Sequence, residues 1–137
     1  MGKAVGIDFG TKRTGIAITD EMQIIASALT TIRTHNLDEF IHKLIQRENI
    51  SCFVVGYPKN LDGSDTDSTV FVQDFIKKLA KKYRDIQIFK MDERFTSKIA
   101  KRTMLASGIN KKKRSDKEIV DKISATILLQ DYIDKKF

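Results

Sequence analysis

The sequence predicts an α/β protein: a mixed five-stranded sheet, three antiparallel strands followed by parallel ones, with helices on both faces. Three observations predict it. Short apolar runs joined by tight turns fill the first third, helical and strand periodicities alternate from residue 36 onward, and no repeat, low-complexity tract or linker interrupts the 137 residues. Adjacent runs joined by a short turn pair antiparallel, whereas strands separated by helices pair parallel. The length suits one domain over residues 1–137, large enough to bury a self-sufficient core.

Residues 4–9 form an apolar run, and Gly10-Thr11-Lys12-Arg13 makes a turn from which Thr14 to Thr19 returns. Residues 25–33 supply a third strand. Asn36 stands where an N-cap would, and Leu37, Phe40, Ile41, Leu44 and Ile45 follow helical spacing. Ser51 to Tyr57 is a compact apolar strand, closed by a loop that begins at Pro58, the only proline. A second helix is expected over 66–84 with Phe71, Phe75 and Leu79 on one side, then a strand over 86–91 and a helix over 96–107 that Gly108 stops. Ser115-Asp116-Lys117-Glu118 has the form of a capping box and opens a last helix running to about Lys135.

Composition narrows the function classes. The one cysteine, Cys52, lies in the run Cys52-Phe53-Val54-Val55, so it reads as a buried strand thiol in a reducing compartment. The N-terminal apolar stretch is too short for a signal peptide, and no segment approaches a membrane span, so a cytoplasmic protein without membrane contact is expected. The net charge is +7 and unevenly placed. Residues 1–89 hold 12 Lys/Arg against 11 Asp/Glu, and residues 90–137 hold 13 against 7. A basic C-terminal part suggests an anionic partner, nucleic acid first.

Carboxylates supply the candidate chemistry. Asp8 ends the first strand on the face of Ala4 and Gly6, whose small side chains leave room beside it. Asp92 and Glu93 follow the 86–91 strand, at the end where open α/β sheets bind ligands. Asp121 heads a helical stripe of Ala125, Leu128 and Tyr132, where an unpaired charge would cost several kcal/mol. Each acid alone is explained by a strand end, a helix dipole or a solvated first turn. If the sheet pairs as read, all three places converge on one corner, where carboxylates repel unless divalent cations lie between them. Oxygen-only ligation suits Mg²⁺ or Mn²⁺, and a pair of such ions serves phosphodiester hydrolysis. His35 and His42 fall away from these acids and read as surface residues.

Four segments in series, Asp8 to Ala17, Val55 to Pro58, Asp92 to Ser97 and Asp121 to Ala125, resemble the YqgF family over the whole chain. These RuvC-like bacterial proteins are described both as Holliday junction resolvases and as nucleases maturing small-subunit ribosomal RNA. The resemblance implies a ribonuclease H-like fold and a metal-dependent nuclease whose acids fall on Asp8, Glu93 and Asp121. It is the resemblance, not strand parity, that selects Glu93 over Asp92. The chain departs from the pattern at Ser97, which keeps a hydroxyl, and at Tyr57 before Pro58; neither is a proposed ligand.

Basic residues surround the expected site. Lys12 and Arg13 follow Asp8 within the first turn, and Arg94 follows Glu93, so each could hold a substrate phosphate. Lys111-Lys112-Lys113-Arg114 is a cationic loop ahead of the last helix, suited to backbone contacts that position nucleic acid without reading sequence. Phe95 and Tyr57 could stack on bases but read better as core. The expected function is maturation of the 5′ end of pre-16S ribosomal RNA. Holliday junction resolution, which needs a dimer with two sites, is the alternative, and a non-catalytic nucleic-acid-binding module is another. The partner is structured RNA or branched DNA, and the chain acts as a monomer or homodimer. An actin-like ATPase shares the Asp-x-Gly-Thr start, but 137 residues leave no room for its second domain.

Overall fold

The computed structural model describes residues 2–57, 67–92 and 117–136. These residues form strands β1 (Lys3–Asp8), β2 (Arg13–Thr19), β3 (Ala26–Arg33), β4 (Ile50–Tyr57) and β5 (Gln87–Asp92). Helices α1 (Leu37–Arg47), α2 (Thr69–Lys82) and α3 (Lys117–Lys136) accompany them. The sheet order is β3-β2-β1-β4-β5. β1, β2 and β3 pair antiparallel, and β1–β4 and β4–β5 pair parallel, as the sequence pattern requires. The expected loop after Tyr57, the helix over 96–107, the cationic loop and the capping box at Ser115 lie outside the described residues.

Two cores sandwich the sheet. On one face Val5, Ile7, Ile16, Phe53 and Val55 pack against Leu37, Ile41 and Leu44 of α1 and Val72, Phe75, Ile76 and Leu79 of α2. On the other, Ala4, Ala17, Cys52 and Val54 pack against Ala125, Leu128, Leu129, Tyr132 and Ile133 of α3. β4 supplies both cores, which is why its sequence is a continuous apolar run rather than an alternation. The small residues are on the α3 side, so that helix approaches closely. A Cβ on Gly6 would stand 2.8 Å from the Leu129 Cβ and 3.0 Å from the Ala125 carbonyl oxygen.

Local signals held with three adjustments. Asn36 occupies the N-cap of α1 but its side chain makes no capping bond, because a 3-10 turn over Thr34–Asn36 leads directly into the helix. The buried stripe of α2 is Thr69, Val72, Phe75, Ile76 and Leu79, and Phe71 is 53% exposed. Val72, Ile76 and Leu79 recur at helical spacing, and Phe71 falls one position, about 100° of helix rotation, off that stripe. α2 also begins at Thr69 rather than 66. Among the described residues, no helix is long and apolar enough to cross a membrane.

Candidate functional site

Asp8 and Asp121 meet over one residue, Gly15. In the β1–β2 ladder Asp8 lies directly opposite Gly15, so their side-chain positions share the α3 face, about 5 Å apart. Gly15 in turn is covered by the backbone of Asp121: a Cβ there would overlap the Asp121 carbonyl oxygen and stand 3.2 Å from the Asp121 Cβ. Only a residue without a side chain allows the first described turns of α3 to settle on β2 at this point. The strand end and the helix are thereby brought together on one side of the sheet, at the C-terminal end of β1.

Arg13 completes this corner. It opens β2 two residues before Gly15, hence on the same face, and its Nε donates to Oδ2 of Asp121 at 3.3 Å. Both side chains are about three-quarters buried, so the guanidinium partly offsets a carboxylate held away from bulk water. The turn that carries Lys12 and Arg13 is pinned by Thr34: its amide donates to the Lys12 carbonyl at 3.0 Å and its hydroxyl to the Gly10 carbonyl. The same hydroxyl shares a 2.9 Å hydrogen bond with Thr14, which is fully buried. Lys12 itself is exposed beside the corner.

The ladder reveals one basic residue that the sequence reading missed. Arg33 lies directly opposite Arg13 in the β2–β3 pair. Like charges facing each other across an antiparallel pair are unfavourable without an anion or acid to balance them. The available signal was a basic residue ending the third strand, and only the register turned it into a neighbour of Arg13.

The remaining predicted residues divide cleanly. Glu93, Arg94, Lys111, Lys112, Lys113 and Arg114 lie outside the described residues. β5 ends at Asp92, whose backbone pairs with Tyr57. Tyr57 is half-buried against the α1/α2 core, with its hydroxyl bonded to Gln73 and the Lys90 ammonium 5.3 Å from its ring centre. His35 and His42 are exposed. Cys52 is buried, its sulfur 3.9 Å from the hydroxyl of Tyr132, whose pKa burial pushes up to about 12.

The donors gathered at this corner are carboxylate oxygens, hard ligands of the kind Mg²⁺ and Mn²⁺ take. Among the described residues no three His, Cys, Asp or Glu converge as a metal-holding group.

Comparison with known proteins bears on the family and the fold. The family model RuvX, described as Holliday junction resolvase, matches residues 2–135. A Flavobacterium johnsoniae protein named "Putative pre-16S rRNA nuclease" is 46% identical over 136 residues, 99% of each chain. A Porphyromonas gingivalis protein of the same name is 45% identical over 134 residues, 98% of this chain and 97% of the relative. The fold is similar to that of Thermus thermophilus RuvC in complex with a Holliday junction substrate, with a TM-score of 0.59 at 12% identity, covering 99% of this chain and 96% of that one. RuvC is a ribonuclease H-like protein, so the expected fold class is the one found.

Proposed function

The chain belongs to the RuvX family, and on that premise we propose that it is a divalent-metal-dependent nuclease that matures the 5′ end of pre-16S ribosomal RNA in the cytoplasm. The observation that carries the reading is the meeting of Asp8 and Asp121 over Gly15 with Arg13 beside them. Two carboxylates and a guanidinium at the end of a central strand suit phosphodiester chemistry better than any other group among the described residues. Glu93 is the third acid of this reading. It is chosen over Asp92 on the family resemblance alone.

Asp8, Asp121 and Glu93 would hold Mg²⁺ or Mn²⁺. When bound, such an ion acts as a Lewis acid that acidifies a water and offsets charge on the leaving oxygen. The chain's own residues do the rest. Asp8 and Asp121 would fix the place of the cation by presenting oxygens from two rigid elements rather than from a loop. Arg13 limits the repulsion between them and, with Lys12 and Arg33, draws the scissile phosphate to the corner through charge-assisted hydrogen bonds. Arg94 and Lys111 to Arg114 are the further residues assigned to the nucleic-acid backbone. RNA is favoured over a four-way DNA junction because relatives at 42–47% identity carry the ribosomal RNA name, whereas RuvC at 12% shares only the fold.

The test compares cleavage of a pre-16S leader RNA and a four-way DNA junction in Mg²⁺, Mn²⁺ and chelator, using wild type, Asp8→Asn and Asp121→Asn. Cleavage of the RNA should fall by about 10²–10³-fold or more in each variant, the scale of losing one preorganised electrostatic group. RNA affinity should stay within a few-fold. Equal cutting by the variants ends the reading; metal-dependent cutting of the junction alone moves the substrate to DNA.

A further inference from the structure

We propose that the loop between β2 and β3, at the end of the sheet away from the acids, is a docking surface for an extended protein segment in which apolar side chains alternate with lysine or arginine. Met22, Ile24 and Ile25 are 62%, 60% and 63% exposed. Isolated exposed apolar residues are ordinary, but three in four positions on an ordered loop make a contiguous patch. Met22 and Ile24 border a groove of about 380 Å³ that Ile133 and Asp134 of α3 also line.

This loop is held too firmly to be a casual connection. The Asp20 carboxylate accepts hydrogen bonds from the amides of Met22, Ile24 and Ile25 at 2.9–3.0 Å. Gln23, at φ 56°, turns inward and is 2% exposed, its amide donating to the Gly2 carbonyl at 2.8 Å and to Ser51 Oγ at 2.9 Å. Gln130 of α3 accepts from the Ala26 amide at 2.9 Å and donates to Asp134 at 3.1 Å. A polar residue is spent inside while the apolar ones are turned out, the reverse of what stability alone would select. Rigid apolar groups lose little conformational entropy on binding, which suits them to recognition.

Charge and area choose the occupant. On a chain of net charge +7 this pole is locally acidic: Glu21 and Asp134 are exposed, and the amide bonds of Asp20 hold its carboxyl below the usual aspartate range. Nearby Lys3 and Lys135 are already paired, with Glu48 and Asp131. A nucleic-acid backbone is therefore repelled and a basic segment attracted. The apolar patch amounts to roughly a few hundred Å², well short of the ~800 Å² per partner of a stable dimer, and an isologous contact would set the acids against themselves. β3 begins right after the patch, is the outermost strand and exposes Ser27 and Ala28, so an extended segment can continue along its edge.

The test is a methyl NMR titration of the full chain with three end-blocked pentapeptides: alternating lysine and isoleucine, glutamate and isoleucine, and lysine and serine. The first should give saturable shifts at Met22, Ile24 and Ile25 and bind at least about tenfold more tightly than the others. Combined Met22→Ser, Ile24→Ser and Ile25→Ser should abolish the shift that the first peptide causes at the Ile133 methyls of the same groove, with Ile7 and Ile16 unmoved. Combined Glu21→Lys and Asp134→Lys, which leaves the apolar residues in place, should reverse the preference to the glutamate peptide. Equal binding of all three peptides, or no saturation, overturns the proposal. So do concentration-dependent shifts without peptide, which would make a second copy the occupant, or shifts at these methyls on adding a structured RNA.

Discussion

The two ends of the sheet are built alike and offer opposite surfaces. At the C-terminal end of β1, Thr34 gathers the Lys12 and Gly10 carbonyls, and an exposed basic turn stands beside two acids. At the other end, Asp20 and Gln23 gather backbone amides and carbonyls, and an apolar, acid-rimmed loop faces solvent. β1 separates them by about 20 Å, given roughly 3.3 Å per residue, too far for direct electrostatic influence at physiological salt. α3 spans both, from Asp121 over Gly15 to Asp134 beside the loop. One helix can thus serve chemistry at its start and a surface at its end without either set of residues constraining the other. The difference is in purpose of the polar groups: at one end they present charge, at the other they are consumed in holding apolar groups outward.

Five substitutions would break or sharpen this contrast, beginning with the acid end. Gly15→Ala should be the most disruptive, because the added carbon overlaps main-chain atoms of Asp121 that cannot rotate away. It should destabilise by about 1–3 kcal/mol or more and also reduce cleavage severely, since α3 must shift at the residue that carries the acid. Gly6→Ala, midway along β1 against Leu129, should cost a similar ~1–3 kcal/mol but leave the remaining activity per folded molecule much closer to wild type. Equal activity losses in the two would mean that α3 moves as a whole, and the ends are not independent. Thermal unfolding and single-turnover cleavage, measured together, decide this.

At the other end, Gln23→Ala strips the Gly2 carbonyl and Ser51 of a buried amide partner and should cost about 1–3 kcal/mol with cleavage unchanged. Denaturant unfolding checks it. Arg13→Lys keeps the charge but loses the planar fork; stability should change by less than about 1 kcal/mol, while the Michaelis constant for RNA rises several-fold. The smallest effect concerns pH. The Asp20 carboxyl is lowered by the Ile25, Ile24 and Met22 amides, so the order it confers is complete above the usual aspartate pKa and is lost as pH falls through the lowered value. Hydrogen exchange at Ile24 and Ile25 should quicken there relative to that at Ile7, and Asp20→Asn should remove the dependence.

Much of this architecture was legible before any coordinates. The α1 stripe and the stripe of α3 behind Asp121 both follow from apolar spacing, which records which side of an element is buried. Phe71 was misread because several apolar residues in α2 offer overlapping stripes, and only packing against the sheet selects Val72, Phe75 and Ile76. Arg33 went unseen for a different reason: its relation to Arg13 exists only through the β2–β3 register. The Asp20–Ile25 loop gave no warning, since the inward rotation of Gln23 depends on Gly2 and Ser51, which only the fold brings to it.

The chain's own residues settled the element types, the mixed pairing of the sheet and the basic excess, because these rest on spacing and composition within short stretches. Tertiary structure alone decided that Asp121 settles on Gly15, that Arg13 reaches an acid 108 residues away, and that one loop turns its apolar side chains to water. Those outcomes depend on how closely separate elements approach, and closeness is set by side chains that are missing or buried elsewhere in the fold.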